Sequence, residues 1–192
     1  YLDRCPVFYS LQNDERLFSV SANLVEVKMS VREDLEKLPE RRWQNEYVKI
    51  CPLKTETDLI YAIFDCQLTD EQKELVNPAG FSIGRAYLFK EDNYPCIIHN
   101  KEDEAIGFIN LNKWLGSGDA YSWSYFIDKE HQGKGYGKQA SRLAVDILKA
   151  ANSNKCIKLA TESSNEIAQR LYTSLGFEKL SEMDGDDIVF GL

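Results

Sequence analysis

Three glycines at alternate positions constrain the fold of this chain more than any other feature, because they separate a strand pattern from a helix pattern. The stretch AYSWSYFID at 120–128 is rich in aromatic residues, which predicts a strand. Gly133, Gly135 and Gly137 follow it closely. Beyond them, apolar residues recur at the spacing of one helix face, namely at Ala140, Leu143, Ala144, Ile147, Leu148 and Ala151. The chain is therefore expected to run from a strand through a bare turn into an amphipathic helix.

The glycine turn has the character of an anion site. The first turn of a helix carries unpaired N–H donors and the positive end of the helix dipole. Glycines let the backbone approach a diphosphate that a Cβ atom would hold away. Lys134 and Lys138 add positive charge in an otherwise acidic chain. An ordinary glycine-rich loop explains neither these lysines nor the position before a helix, so the pattern favours anion binding.

Two nucleotide-binding motifs do not fit the turn. A Rossmann fingerprint, G-x-G-x-x-G, that begins at Gly133 and Gly135 needs a third glycine where Lys138 stands. It also needs an acidic residue about 20 positions later, at the end of a second strand, and none is found there. A Walker A loop from Gly133 fails at the same lysine. Both motifs are excluded.

From residue 46 onward, strand and helix signals come in regular order. Strands are predicted at 47–53, 94–100, 105–111, 156–161, 177–180 and 187–192. Helices are predicted at 55–64, 69–76, 81–89 and 165–175. With 192 residues and 43% hydrophobic content, the chain is long enough for one packed α/β domain.

Residues 1–45 follow a different pattern and are interpreted as an N-terminal extension. A strand with a bulge is predicted at 20–31. Ser30 and Glu33 form a capping box for a short helix that Pro39 stops. The extension could be a small added element, part of a truncated upstream domain, or a dimer arm, and the sequence does not choose. The chain begins without Met and without a signal-peptide pattern, so it is interpreted as trimmed or partial.

Composition disfavours several classes of function. The net charge of −8 disfavours nucleic-acid binding, which depends on cationic neutralisation of phosphates. The same charge suits cationic partners, although it could equally serve only to keep the protein soluble. No run of about 18 apolar residues predicts a membrane span. The five cysteines form no C-x-x-C pair, and His99 and His131 lack a partner at ligand spacing. No metal site is predicted, and a reducing, cytoplasmic location is the default.

Two motifs resemble one known family. QGKGYG at 132–137 resembles the Q/R-x-x-G-x-G/A acyl-CoA signature of the GNAT N-acetyltransferase superfamily. NEIAQRLYTSLGF at 165–177 resembles the second motif of that superfamily. Its recurring residues are matched here by Asn165, Ala168, Leu171, Tyr172, Gly176 and Phe177. The resemblance covers 46–192 and implies a mixed, mostly antiparallel central sheet with flanking helices.

The resemblance also implies a co-substrate, acetyl-CoA, and a set of site residues. The strand at 121–128 would splay from its neighbour, so that the backbone of Phe126 and Ile127 pairs with the pantetheine arm. Tyr172 takes the position of the general acid, with a core aromatic residue as the alternative, because it lies in one apolar stripe with Leu171 and Leu175. Asn165 serves as a helix cap, as a ligand contact, or as both. The diphosphate would be held by N–H groups across Gln132, Gly133, Lys134, Gly135, Tyr136, Gly137 and Lys138.

A narrower resemblance concerns the acceptor. The segments 68–78, 125–140 and 182–192 look like bacterial diamine and spermine/spermidine acetyltransferases, although Ser124 stands where such sequences often have Arg. This implies a small cationic amine, with polyamines first. Acetylation of an aminoglycoside or a peptide N-terminus, a non-enzymatic acyl-CoA sensor, and a homodimer remain open. The aromatic residues Trp114, Tyr121, Trp123 and Tyr125 are expected in the core, with the acceptor cleft as the alternative.

Overall fold

The computed structural model of the protein describes residues 30–116 and 119–192, apart from the side chain of Glu71. Of the strand predicted at 20–31, only Ser30 and Val31 are described, and they begin a helix; the rest lies outside these ranges. No described helix combines the length and the hydropathy that crossing a bilayer needs.

Seven strands form the central sheet in the order β1-β2-β3-β4-β5-β7-β6. Their bounds are β1 Val48–Pro52, β2 Asn93–Asn100, β3 Ala105–Lys113, β4 Ala120–Ile127, β5 Cys156–Thr161, β6 Glu178–Asp184 and β7 Asp187–Gly191. Among the described strands, β4 and β5 are the one parallel pair, and all other neighbours run antiparallel. The predicted mixed, mostly antiparallel sheet is confirmed.

Helices flank this sheet on both faces. They are α1 Val31–Glu36, α2 Glu56–Ile60, α3 Asp70–Leu75, α4 Ala79–Leu88, α5 Tyr136–Ala151 and α6 Glu166–Ser174. Short 3₁₀ turns lie at Glu40–Trp43, Lys90–Asp92 and Lys129–His131. The predicted Ser30–Glu33 capping box is present at the start of α1.

The helix predicted at 55–64 is present but changes its pitch half-way. Thr55 and Asp58 form a capping box at its start. Beyond Ile60 the chain continues as a π-helical turn, Tyr61–Asp65, which the Cys66 N–H closes on the Tyr61 carbonyl at 2.8 Å. No sequence signal indicated this turn. A π-helical turn inserts one extra residue per turn and so rotates the residues that follow.

Two hydrophobic cores lie on opposite faces of the sheet. The larger one lies beneath α1 and α5 and includes Ile127 of β4. The smaller one lies beneath the π-helical turn and α4 and includes Phe126. Consecutive residues of a strand point to opposite faces, so the end of β4 is anchored on both sides. Burial on both sides holds this strand end rigidly beside the glycine turn.

Part of the predicted extension packs against the sheet. Val31 and Leu35 of α1 lie in the larger core. Between them, the buried Asp34 carboxylate accepts a hydrogen bond of 2.5 Å from the Tyr121 hydroxyl of β4. The Lys155 ammonium lies 4.0 Å from the same carboxylate. The boundary at residue 45 between an extension and the main domain stays a prediction.

The Asp34–Tyr121 hydrogen bond makes a testable contribution to stability. Tyr121→Phe removes the donor and leaves a buried carboxylate short of one partner, so we expect a loss of about 1–3 kcal/mol in the free energy of unfolding. Urea denaturation measures this difference. Tyr87→Phe is the matched control, because that side chain is 87% exposed. Equal midpoints for the two variants would show that the bond adds nothing.

Candidate active site

The parallel strands β4 and β5 separate soon after they begin. Their register contains only the pairs Ala120–Cys156 and Tyr121–Ile157. The opposite edge of β4 pairs with β3 along its whole length, as far as Ile127 with Gly107. From residue 122 onward, the edge of β4 that faces β5 has no strand neighbour among the described residues. Peptide groups on such an edge are open to an extended ligand, which can add to the sheet as a further strand would.

The glycine turn lies at the open end of β4. Gly133 and Gly135 have φ values of 74° and 85°, in the left-handed region that residues with a Cβ rarely adopt. No heavy atom lies within 4 Å of the position that a Cβ would take at either residue. Glycine is therefore required here by the backbone conformation, and the surface above the turn stays bare.

Helix α5 begins directly on this turn without a side-chain cap. Gly135 is its N-cap residue, and no side chain bonds to the first helical N–H groups. The first N–H groups of a helix have no carbonyl one turn back to bond to, and in α5 these are the N–H groups of Tyr136, Gly137 and Lys138. Together with the exposed Lys134 and Lys138 side chains, they offer donors and positive charge to an anion.

The side chain of Gln132 bonds within the protein. Its Nε2 atom donates to the Ile127 carbonyl at 2.9 Å and to the Gln72 Oε1 atom of α3 at 2.6 Å. The backbone N–H of Gln132 also bonds within the protein, since it donates to the Lys129 carbonyl at 3.4 Å, and a ligand contact for Gln132 stays a prediction. The side chain itself fixes the start of the glycine turn to the end of β4.

Tyr172 lies on α6 with its ring against two aromatic residues. The ring centroids of Phe177 and Phe190 lie 6.0 Å and 5.6 Å from its own. Burial raises the pKa of Tyr172, and the nearby Tyr125 and Asp187 raise it further. A phenol is protonated at neutral pH in any case, and a raised pKa makes it a weaker acid, so Tyr172 can donate its proton only to a group held close to its hydroxyl. The same contacts serve packing, so both interpretations of Tyr172 fit this position.

Tyr125 of β4 explains the third glycine. A Cβ on Gly137 would lie 3.2 Å from the Tyr125 hydroxyl, so glycine lets the start of α5 pack closely on this strand. The hydroxyl of the buried Ser141 faces the same phenol. Burial raises the pKa of Tyr125. The Tyr125 phenol thus lies beside the glycine turn, and it is also an electrostatic neighbour of Tyr172.

A row of carboxylates lies near Tyr172 at the edge of the sheet. In the register, Thr161 of β5 pairs with Ile188 of β7, which brings the next residues, Glu162 and Asp187, together. Asp187 also pairs with Asp184 of β6. Burial raises the pKa of the Asp187 carboxyl, and Glu162, Asp184 and Asp186 raise it further. The chain has 31 acidic residues, and only the strand pairing shows that these particular ones lie together.

The remaining predicted residues are placed as follows. Asn165 caps α6, since its Oδ1 atom accepts a hydrogen bond from the Ala168 N–H at 3.1 Å; a ligand contact for it stays a prediction. Phe126 and Ile127 have buried side chains at the open end of β4. The expectation of core packing is confirmed for the aromatic residues Trp114, Tyr121 and Trp123.

Comparison with known families agrees with this geometry. The sequence model of the family described as "Acetyltransferase (GNAT) family" matches residues 57–177, a span that contains the glycine turn and Tyr172. The chain belongs to the acetyltransferase (GNAT) family. The superfamily resemblance read from the two motifs is therefore confirmed.

One curated relative of this GNAT protein is the L-amino acid N-acyltransferase MnaT of Escherichia coli (strain K12). It is 26% identical over 102 residues, which are 51% of this chain and 58% of the relative. The match thus spans less than two thirds of the relative's length.

Solved structures share the fold of this GNAT chain. The aminoglycoside acetyltransferase AAC(6')-Ib in complex with coenzyme A is 22% identical, with a TM-score of 0.61 over 76% of this chain and 94% of that one. A putative ribosomal-protein-serine acetyltransferase from Vibrio cholerae is 17% identical, with a TM-score of 0.58 over 78% and 95%. An acetyltransferase from Agrobacterium tumefaciens str. C58 is 15% identical, with a TM-score of 0.57 over 93% and 98%.

Replacement of glycine by alanine should have opposite effects in the left-handed turn and inside a helix. Gly135→Ala forces alanine to a φ of 85° and should destabilise this GNAT protein by about 1 kcal/mol. Gly84→Ala is the matched control, because Gly84 lies inside α4 with open space around it. Alanine there should stabilise the protein by about 0.5–1 kcal/mol. Denaturant unfolding measures both, and stabilisation by Gly135→Ala would contradict the backbone argument.

Proposed function

We propose that the protein transfers the acetyl group of acetyl-CoA to a primary amine of a small cationic acceptor, with polyamines favoured. The observation that carries the proposal is the open edge of β4 beside the bare first turn of α5. An extended thioester arm fits the open edge, and a diphosphate fits the turn. Membership of the acetyltransferase (GNAT) family supports the same reaction.

In this proposal the CoA molecule is held mainly by backbone groups. The N–H groups across 132–138 bind the diphosphate, and the backbone of Phe126 and Ile127 pairs with the pantetheine arm. The helix dipole of α5 and the Lys134 and Lys138 ammonium groups neutralise part of the diphosphate charge. Glycine at 133 and 135 keeps side chains out of the way.

Catalysis rests first on proximity, because amine and thioester held together react as one molecule. A strand N–H of β4 polarises the acetyl carbonyl, as in an oxyanion hole. The amine must also be neutral to attack. With a pKa of about 10.4, it is neutral about once in 2,500 molecules at pH 7, which costs about 4.6 kcal/mol. A base that removes this proton inside the site therefore has much to contribute.

Two proton transfers complete the reaction. The amine nitrogen attacks the carbonyl carbon and gives up a proton, for which Asp187 is the suited acceptor because its carboxyl has a raised pKa near Tyr172. The C–S bond then breaks, and the electron pair leaves on sulfur. Tyr172 donates its hydroxyl proton to that thiolate and is reprotonated from solvent. The products are the N-acetylated amine and free CoA.

A cationic acceptor is supported by the charge around the opening. The row of Glu162, Asp184 and Asp187 attracts ammonium groups near the reaction centre. The same row disfavours acceptors that carry a carboxylate close to the amine, such as the L-amino acids named for the relative MnaT. Aminoglycosides are also cationic amines and are the second candidate class.

An amine panel tests the proposal directly. The protein is incubated with acetyl-CoA and spermidine, a diamine, an aminoglycoside, an L-amino acid or a peptide, and free thiol is followed with time. We expect thiol release with the polycationic amines and little with the amino acid, because the carboxylates favour cations. Release with none of these amines, by protein that binds CoA in calorimetry, would instead support an acyl-CoA sensor.

Substitution of Tyr172 separates its catalytic role from its role in packing. Tyr172→Phe keeps the ring contacts with Phe177 and Phe190 but removes the acid, so turnover should fall about 100-fold or more. The dissociation constant of CoA should not change. Tyr47→Phe, at a half-exposed phenol, is the control and should keep full turnover. Normal turnover by Tyr172→Phe would contradict the catalytic role and show that Tyr172 serves only in packing.

A further inference from the structure

The segment between the π-helical turn and α3 is bonded to the chain that leads into the glycine turn. The Gln67 N–H donates to the Asp128 Oδ2 atom at 2.7 Å, and the Lys129 N–H donates to the Gln67 carbonyl at 2.8 Å. Farther along, the Gln132 Nε2 atom donates to the Gln72 Oε1 atom at 2.6 Å. Residues 67–72 and 127–132 are thus joined at both ends.

The two ends of this connection differ in kind. At the Gln67 end, the buried Asp128 carboxylate also accepts from the Glu130 N–H at 2.9 Å, so backbone groups are held by a rigid anchor. At the other end, the connection is a single hydrogen bond between side chains, which the Gln132 amide donates to Gln72. Gln132 is the first residue of the glycine turn. The Gln132 amide uses one N–H for Gln72 and the other for the Ile127 carbonyl.

The glycine turn has few restraints of its own. Gly133 and Gly135 carry no side chains, and open space surrounds both. The far end of the turn is held against β4 by the close packing of Gly137 on Tyr125, and its near end is bonded to β4 through Gln132. A side chain held by two partners has a fixed orientation, whereas one held by a single partner can rotate about that bond. Gln72 supplies the second partner.

We propose that Gln72 is a positioning residue for the CoA diphosphate, which acts through Gln132 to hold the N–H groups of the glycine turn in a converging arrangement. The proposal rests on the proposed function, because it assumes that the turn binds the diphosphate. Gln72 itself touches no ligand. It lies in the first turn of α3, where its own N–H bonds to the Thr69 hydroxyl at 3.3 Å.

Calorimetry with CoA tests the proposal through Gln72→Leu. This change keeps the approximate size of the side chain and removes the acceptor, so CoA should bind about 5-fold more weakly, as expected for one lost hydrogen bond. Gln67→Leu is the matched control. Within the described ranges, the Gln67 side chain bonds to the Phe64 carbonyl alone, and its backbone bonds remain, so CoA affinity should not change.

Two further comparisons distinguish positioning from a general structural effect. Pantetheine lacks the diphosphate, so its affinity should be the same for the wild-type protein and for Gln72→Leu. Gln132→Leu should weaken CoA binding at least as much as Gln72→Leu, and the double variant no more than Gln132→Leu alone, because both residues act through one bond. Equal weakening for pantetheine and CoA, or fully additive losses, would overturn the proposal.

Amide hydrogen exchange in the ligand-free protein provides a test that does not depend on CoA. Gln72→Leu should speed exchange in the peptide that spans 130–138, while Gln67→Leu leaves it unchanged. If wild-type protein fails to bind CoA, the proposed function fails, and faster exchange would still support Gln72 as a support for the turn. Unchanged exchange together with unchanged CoA affinity in Gln72→Leu would overturn the inference alone.

Discussion

The site depends on how briefly β4 and β5 pair. Two residue pairs at the start of these strands hold them together, and beyond Tyr121 and Ile157 they part. Backbone N–H and C=O groups require partners, so the exposed edge of β4 must be satisfied by water or by a ligand. Full pairing of the two strands would have satisfied these groups within the sheet. The glycine turn would then lie beside a strand edge without free peptide groups. An extended cofactor could not bind along β4 and also reach the first turn of α5.

The features that the sequence predicted correctly rest on interactions between near neighbours. The capping box at Ser30 and the cap at Asn165 each involve residues three positions apart. The turn between β4 and α5 follows from three glycines within five residues. The strands and the amphipathic face of α5 likewise follow from short-range patterns. For this reason the fold class and the location of the glycine turn could be predicted before the structure.

What the sequence could not predict depends on residues that meet only in the folded chain. Gln72 and Gln132 are 60 positions apart, and Asp34 and Tyr121 are 87 apart. No periodicity links such pairs. The carboxylate row at Asp187 forms only once the order β5-β7-β6 and its register are known. These long-range contacts were therefore beyond sequence reasoning, whereas the glycine turn, which is one contiguous stretch of the chain, was not.

A net charge of −8 on average repels an anionic co-substrate, but the short distances over which charges act limit this repulsion. At physiological ionic strength, exposed charges are screened over about 8 Å, so remote carboxylates repel CoA weakly. In the proposed site, the N–H groups and lysines of the glycine turn would act on the diphosphate at contact distance, where screening is slight. The carboxylates that matter act locally too, beside Tyr172. One end of the site can thus attract an anion while the other attracts a cation, and the neutral phenols of Tyr125 and Tyr172 add no charge to either end.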